Sequence, residues 1–265
     1  MDLQLAGKRA IITGASRGIG YAVTAALAAE GADLVLVARD QAALDAAAAR
    51  LARPGLRVLA IAADTTDDRA VRAMVARTVT ELGGVDILVN AAAQPGGAGT
   101  PRGLAALADD DLRAEIETKV LGYLRCARAV APHMSAQGWG RIINISGLAA
   151  RQTGSVFGSI RNVAVAAMTK NLADELGPTG INVTVAHPGM TATERTPALI
   201  AALAAARWIS EADAEGSMAA GISIGRMVTA AEVADVVAFL ASPRSVAING
   251  DAIAAGGGAR HAIHY

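Results

Sequence analysis

Short runs of β-branched and aliphatic residues alternate with longer Ala- and Leu-rich stretches along most of this 265-residue chain. This alternation is typical of repeated strand–helix–strand units, whose strands lie parallel in one sheet. Runs such as Leu34-Val-Leu-Val lack polar alternation, as expected when helices cover both faces of the sheet. The predicted strands are Arg9–Thr13, Asp33–Ala38, Arg57–Ala62, Asp86–Asn90, Arg141–Ser146, Asn182–His187 and Asp251–Ala254, and the predicted helices lie near residues 18–30, 41–52, 67–82, 110–135, 157–177 and 230–241.

These elements predict an α/β fold with a single doubly wound parallel sheet of about seven strands, formed by residues 1–265 as one domain. Two stretches interrupt the alternation. Residues Gln94–Gly103 are rich in Gly and Pro and indicate a loop. Residues 191–224 form an insertion with a helical piece near Pro197–Ser210. Because ligands bind beyond the carboxyl ends of parallel strands, we expect this insertion to be a substrate lid, with a plain surface helix as the alternative.

Composition limits the classes of function. The chain is 53% hydrophobic and 18% charged, which excludes intrinsic disorder. Its 24 basic and 24 acidic side chains cancel, so the charge gives no indication of a nucleic-acid or membrane-surface partner. The single Cys126 and four scattered histidines indicate neither a disulfide framework nor a metal site. No apolar stretch is long enough to span a membrane, and a strand begins near Lys8, so we expect a cytoplasmic protein.

A glycine-rich turn, Thr13-Gly-Ala-Ser-Arg-Gly-Ile-Gly20, stands between the first predicted strand and the first predicted helix. Glycines allow the backbone to approach a pyrophosphate closely. The start of the helix adds unpaired amides and the positive end of its dipole. In this position the turn predicts a site for the phosphates of a dinucleotide.

With this turn the chain resembles the short-chain dehydrogenase/reductase family, whose signature is T-G-x-x-x-G-x-G, and further matches follow in order along nearly the whole chain. The resemblance implies a Rossmann-type sheet and an NAD(P)(H)-dependent oxidoreductase that acts on a carbonyl or alcohol group of a small molecule. It also implies cofactor contacts in the glycine turn, after the third and fourth strands, and in the Pro-Gly segment beside the nicotinamide. The residues at these positions are Gly14, Ser16, Arg17, Gly18, Ile19, Gly20, Asp64, Asn90, Pro188, Gly189 and Thr193.

The end of the second strand bears on which nucleotide is bound. An acidic side chain there binds a ribose 2′-hydroxyl, whereas an arginine suits a 2′-phosphate. The position that is usually acidic in NAD users corresponds to Ala38, and Arg39 follows it. Arg17 supplies a second guanidinium, and we interpret Asp40 as the N-cap of the next helix. The sequence therefore favours NADP(H) over NAD(H).

The reaction centre departs from the family pattern. Family members use a Tyr and a Lys, spaced Y-x-x-x-K on one helix, to move a proton to or from the substrate oxygen. This chain contains no Y-x-x-x-K. Alignment on the Thr169-Lys170 pair places Gly158 at the tyrosine position and Asn162 at the lysine position.

A second substitution, on the preceding helix, accompanies the replacement of the family's Tyr and Lys. The family's catalytic Asn, in V-N-x-x-G, corresponds to Lys119. A lysine therefore stands at the family's asparagine position, and Asn162 stands at the family's lysine position on the other helix. We hypothesise that Lys119 is the functional cation and that Asn162 holds cofactor ribose or a water. The alternative is that both residues changed after catalysis was lost and that Lys119 pairs with a nearby carboxylate.

The serine of the family site corresponds to Ser146 or to Gly147, one residue later. Ser146 is a candidate hydrogen-bond donor to a substrate oxygen, and its alternative role is to bond local backbone. His187 is the remaining conventional acid or base. Tyr123 is interpreted as a core or interface aromatic, with the space left at Gly158 as its alternative location.

Three functions remain open on these residues: an oxidoreductase with a non-standard proton donor, a non-redox enzyme such as a lyase, dehydratase or cyclase, and a catalytically inactive NADP(H)-binding protein. The lid composition predicts a partly apolar small-molecule substrate. The helices near 110–135 and 157–177 carry small and apolar side chains, and the resemblance implies that they form a homodimer or homotetramer.

Overall fold

The computed structural model of the protein describes residues 1–93 and 103–260. Within them, seven parallel strands form one sheet in the order β3-β2-β1-β4-β5-β6-β9. Two short strands, β7 and β8, pair separately. The strands are β1 Arg9–Thr13, β2 Asp33–Ala38, β3 Val58–Ala62, β4 Ile87–Asn90, β5 Gly140–Ile145, β6 Ile181–Pro188, β7 Thr191–Ala192, β8 Val228–Thr229 and β9 Ala252–Ala255.

Helices connect the strands and cover the sheet. They are α1 Gly18–Ala29, α2 Gln41–Ala49, α3 Asp68–Leu82, α4 Asp109–Glu115, α5 Gly122–Gln137, α6 Val156–Leu176, α7 Thr196–Arg207, α8 Glu211–Ala219 and α9 Ala230–Ala241. A π-helical turn, Ile116–Leu121, joins α4 to α5. None of the described helices has both the length and the apolar character needed to cross a membrane.

Hydrophobic cores lie on both faces of the sheet. Successive residues of β1 face opposite ways, so Ile12 packs in the core beneath α1 and α9 whereas Ile11 packs in the core beneath α3 and α5. Both residues are fully buried. This arrangement confirms the predicted doubly wound sheet, and it explains why the strands lack polar alternation.

Strand order reverses between β1 and β4, because β1 is followed by β2 on one side and paired with β4 on the other. In open parallel sheets the crevice at such a reversal, beyond the carboxyl ends of the strands, is where ligands bind. The glycine turn after β1 and the residues after β4 both lie at this edge.

Some local predictions needed correction. The helix predicted near 110–135 is interrupted by the π-helical turn, because hydrophobic spacing alone does not distinguish a π turn from an α turn. The insertion at 191–224 contains α7 and also α8, which was not predicted. The loop predicted at Gln94–Gly103 lies, apart from its last residue, outside the described residues.

Asp40 is the N-cap of α2 as predicted, since its side chain accepts from the Ala43 amide at 3.1 Å.

Candidate active site

The glycine turn after β1 is closely packed. A Cβ atom added at Gly20 would overlap the carbonyl oxygen of Gly14, and one added at Gly14 would lie 2.9 Å from the Ala91 carbonyl oxygen. The Thr13 hydroxyl accepts hydrogen bonds from the Ala91 and Ala92 amides at 3.0 and 3.1 Å. These contacts fix the turn against the end of β4, so only glycine fits at positions 14 and 20.

The first amide of α1 holds an anionic group. Gly18 has φ of 57°, and its N–H donates to Oε2 of Glu194 at 3.2 Å. Glu194 comes from the segment between β7 and α7, far along the chain. Its carboxylate is a stand-in for the phosphate that a helix N-terminus favours. The turn therefore fits the pyrophosphate of a dinucleotide.

Of the side chains predicted to distinguish the two nucleotides, Arg39 directly follows β2 and Arg17 precedes α1 in the glycine turn. Arg17 and Arg39 are both exposed, and neither forms an ion pair with another described residue. The nearby carboxylate of Asp40 is used in capping α2. Asp64, after β3, accepts from the Thr66 amide and hydroxyl at 2.9 Å each, which fixes the next turn.

Buried amide groups join the ends of the central strands. Asn90 Nδ2 donates to Asn144 Oδ1 at 2.9 Å, and Asn144 Nδ2 donates to the Thr169 hydroxyl at 2.9 Å. This chain of hydrogen bonds ties β4 to β5 and then to α6. On the next strand a Cβ at Gly189 would lie 3.0 Å from Cα of Gly256, so the Pro-Gly segment fits closely against the end of the sheet.

Lys119 lies in the π-helical turn and is only 4% exposed. Its Nζ donates to the Ser146 carbonyl oxygen at 3.0 Å. No described carboxylate lies within 4.0 Å of it, so the predicted alternative of a paired lysine is not found in this part of the chain. Burial lowers the pKa of Lys119 to about 8. π-helical turns often occur at functional sites, where they re-aim a side chain.

Ser146, Gly147 and Asn162 lie together beside this lysine. The Ser146 hydroxyl donates to the Asn162 carbonyl oxygen at 3.1 Å, so its single proton is used within the protein. A Cβ at Gly147 would lie 3.0 Å from Nδ2 of Asn162. The side-chain oxygen of Asn162 is buried and has no protein partner among the described residues. An acceptor buried in this way is satisfied by a bound hydroxyl, amide or water.

His187 lies near the carboxyl end of β6. It is fully buried, and its Nδ1 has no partner among the described residues. Burial, together with the charges of Arg151 and Lys119, lowers the pKa of His187 to about 4. The imidazole is therefore neutral at physiological pH and does not serve as a cationic acid. The Arg151 guanidinium, which the sequence did not single out, donates to the Ala252 carbonyl oxygen at 3.0 Å.

Two other candidates have structural roles. Tyr123 is fully buried, its hydroxyl donates to the Ile145 carbonyl oxygen at 3.0 Å, and burial raises its pKa far above the usual value. It is therefore a core aromatic and does not occupy the space beside Gly158. Lys170 is exposed and pairs with Asp174 at 2.6 Å. The C-terminal His261, His264 and Tyr265 lie outside the described residues.

Two open clefts flank the sheet. One, of about 380 Å³, lies at the amino ends of the strands and is lined by the Arg9–Asp86 ion pair and its neighbours. The other, of about 470 Å³, lies beside the insertion and is lined by Thr193, Thr196, Ile200 and Met227 among others. Of these two clefts, only the second shares a predicted site residue, Thr193, with the carboxyl end of the sheet. No group of three His, Cys, Asp or Glu residues is placed to hold a metal within the described ranges.

The doubly wound sheet and the glycine turn at its switch point define a Rossmann-type nucleotide-binding protein. The sequence pattern of the short chain dehydrogenase family matches residues 8–203. The chain therefore belongs to the short-chain dehydrogenase/reductase family of oxidoreductases.

Relatives along the full length agree with this assignment. The short-chain reductase protein NovJ of Streptomyces niveus is 37% identical over 94% of this chain and 92% of its own. The 3-oxoacyl-acyl-carrier-protein reductase FabG of Escherichia coli is 32% identical over 95% and 97% of the two chains. The crystal structure of L-sorbose reductase from Gluconobacter frateurii, complexed with NADPH and L-sorbose, superposes with a TM-score of 0.91 at 31% identity, covering 99% of this chain and all of the other.

Proposed function

We propose that this protein is an NADP(H)-dependent carbonyl reductase whose proton donor is Lys119, in place of the family's Tyr–Lys pair. The observation that carries the proposal is the buried ammonium of Lys119, which has no carboxylate partner among the described residues and is connected to Asn162 through Ser146. Gly158 and Asn162 stand where the resemblance implies the Tyr and the Lys. A bound nicotinamide would supply or accept the hydride.

The cofactor would be held by the carboxyl-end residues. Gly14, Gly18 and Gly20 form the phosphate turn, with Ser16 and Ile19 inside it. Asp64 and Asn90 follow β3 and β4, and Pro188, Gly189 and Thr193 follow β6. Arg17 and Arg39 would contact the 2′-phosphate, because a guanidinium pairs with phosphate in a bidentate manner. The NADPH bound in the sorbose reductase structure supports the same choice.

The nucleotide preference is testable by binding alone. We expect Arg39→Gln and Arg17→Gln each to weaken NADPH binding about tenfold or more while leaving NADH binding within about twofold, since a charge-assisted hydrogen bond contributes ~1.5–3 kcal/mol. Nucleotide fluorescence titration measures both affinities. Arg69→Gln, an exposed change on α3, is the control. Equal losses for the two nucleotides would contradict the assignment.

The chemistry of Lys119 follows from its surroundings. With a pKa of about 8 it is mostly protonated at neutral pH, and it releases a proton more readily than an exposed lysine. The Ser146 carbonyl accepts one of its three N–H bonds, which leaves two for a substrate oxygen and a neighbour. As the substrate carbonyl gains a hydride, Lys119 donates the proton to the developing alkoxide. In this account Ser146 positions Lys119, and the Asn162 side chain orients ribose or water.

A carbonyl panel tests the reaction. NADPH oxidation is followed with aldehydes, ketones, ketoses and 3-oxoacyl thioesters, for the unmodified protein, for Lys119→Met and for the exposed control Lys170→Met. We expect at least one class to be reduced, with a loss of about 10²–10⁴-fold in kcat/KM for Lys119→Met and no loss for the control. Unchanged turnover in Lys119→Met would overturn the assignment.

One alternative has an observation in its favour, namely the missing Tyr–Lys pair. On that basis the protein would bind NADP(H) without turning over a carbonyl substrate. NADPH binding with no oxidation across the whole panel would identify this case. A non-redox lyase, dehydratase or cyclase would instead show turnover that does not depend on added nucleotide.

The proposal includes an assembled enzyme with a lid. Residues 191–224, which contain α7 and α8, would cover a partly apolar small-molecule substrate. The exposed apolar face of α6 would contact a second copy of the chain, giving a homodimer or homotetramer.

A further inference from the structure

Two cations flank the buried His187. Lys119 is held at the end of β5 through the Ser146 carbonyl, and the Ser146 amide in turn donates to the Ala186 carbonyl of β6 at 2.8 Å. On the other side Arg151 is held against β9 through the Ala252 carbonyl. The strands β5, β6 and β9 are neighbours in the sheet, and the charges of Lys119 and Arg151 both act on His187.

Neither cation has an acidic partner in the part of the chain that the structure describes, where no carboxylate oxygen lies within 4.0 Å of either side chain. The acidic residues closest in sequence to Lys119 are already committed, since Glu115 pairs with Arg161 and Glu117 with Arg125. The side chains around His187 therefore carry a positive charge that the described residues leave uncompensated.

The two cations also have hydrogen-bond donors that the described residues do not use. Each cation makes only one side-chain hydrogen bond among the described residues, so two N–H groups of Lys119 and four of Arg151 remain for other partners. Beside them, the buried Asn162 Oδ1 and His187 Nδ1 have no partner among the described residues. The Asn162 oxygen is an acceptor, so it needs a donor such as a hydroxyl or a water. The buried charge of Lys119 is stable only when it is paired and hydrogen-bonded, and both cations have unused N–H donors, so the ligand that complements them is an anion that accepts several hydrogen bonds.

We propose, building on the reductase function above, that the site around Lys119, His187 and Arg151 selects carbonyl substrates that carry a carboxylate close to the reacting carbon, that is, oxo acids and their hydroxy-acid products. Arg151 binds the carboxylate and Lys119 serves the adjacent carbonyl oxygen. A planar carboxylate matches the fork of a guanidinium. The cofactor's own phosphates belong to the turn after β1 and the end of β2, so they do not neutralise these two cations.

The test measures binding without turnover. Hydroxy acids are titrated into the NADPH-loaded protein by calorimetry, because an alcohol cannot be reduced further by NADPH. The probes are 2-hydroxypropanoate, 3-hydroxybutanoate and 4-hydroxypentanoate, each compared with its uncharged primary amide. We expect at least one acid to bind tenfold or more tightly than its amide. Equal affinities, or no acid binding in any pair, would overturn the proposal.

Variants assign the preference to the named residues. Arg151→Gln should reduce the acid-over-amide preference to less than threefold, Arg151→Lys should keep part of it, and the remote Arg244→Gln should leave it unchanged. NADPH affinity is measured alongside as the control for folding. A preference that survives in Arg151→Gln would place the carboxylate elsewhere and overturn the assignment. If the acids bind as expected but the matching oxo acids are not reduced, the reductase function fails while the anion site stands.

Discussion

Lys119 is the residue on which the proposed function depends, and the effect of its buried charge on the free energy of unfolding can be measured. Its pKa of about 8 lies below the ordinary value of 10.5, so the folded protein binds this proton less tightly than the unfolded chain. Stability therefore rises as the pH increases from about 8 to about 10.5. At neutral pH the buried charge costs roughly 3 kcal/mol, as an upper figure from the size of the shift.

We therefore predict that Lys119→Met raises the free energy of unfolding at pH 7 by ~1–3 kcal/mol while it removes activity. The gain should shrink between pH 8 and 10.5, where the lysine becomes neutral in the fold. Urea denaturation at several pH values measures both effects. Lys170→Met, which removes only an exposed ion pair, should stay within about 0.5 kcal/mol. A destabilised Lys119→Met would show that the lysine stabilises the fold and would remove the functional argument.

At the scale of elements, the contact between Glu194 and α1 couples the insertion to the glycine turn. The Glu194 carboxylate holds the Gly18 amide, which lies in the predicted path of the cofactor phosphates. Two negative groups cannot share this amide, so Glu194 would have to leave it if the cofactor bound as proposed. The residues just before α7 would then move together with cofactor binding.

Glu194→Gln tests this coupling. We expect the variant to bind NADPH about three- to tenfold more tightly, because it removes the repulsion between carboxylate and phosphate and weakens the competing hydrogen bond. Nucleotide fluorescence titration at low and high salt measures the gain, which should be smaller at high salt. Glu211→Gln, on the exposed start of α8, is a matched control. Unchanged or weaker binding by Glu194→Gln would contradict the contact's proposed role.

The elements also show what the sequence determines and what it leaves open. The glycine turn and the α2 cap were predictable because neighbouring residues specify them. The π-helical turn that carries Lys119 was not, because it depends on one inserted residue in the helical hydrogen bonding. Glu194 and Arg151 were missed as site residues, since only the tertiary fold brings them to Gly18 and His187.

In the whole molecule, α6 presents an apolar stripe that the described residues leave exposed. Val156, Ile160 and Val163 are 55%, 44% and 50% exposed and recur at helical spacing on one face. Contiguous exposed apolar side chains of this kind mark association surfaces. The sequence predicted the order of strands and helices well because each repeated unit has its own hydrophobic pattern, whereas nothing within one chain specifies how many copies assemble.

We expect Val163→Glu to dissociate the assembly, because it places a charge at the centre of the stripe. Sedimentation velocity should show a mass of about 27 kDa for the variant, close to one chain of 26.6 kDa, and two or four times that for the unmodified protein. Ala198→Glu, on the exposed side of α7, is the control. A monomeric unmodified protein would contradict this surface assignment.

The role of Lys119 as proton donor is tested most directly by the rate of NADPH oxidation in a single turnover. The rate is measured from pH 6 to 10 with a carbonyl compound that the protein reduces in the panel. If Lys119 is the proton donor, the rate should be constant at low pH and fall about tenfold per pH unit above about 8, and Lys119→Met should be slower by about 10²–10⁴-fold at pH 7. A Lys119→Met variant that keeps the unmodified rate and the same pH profile would contradict the account.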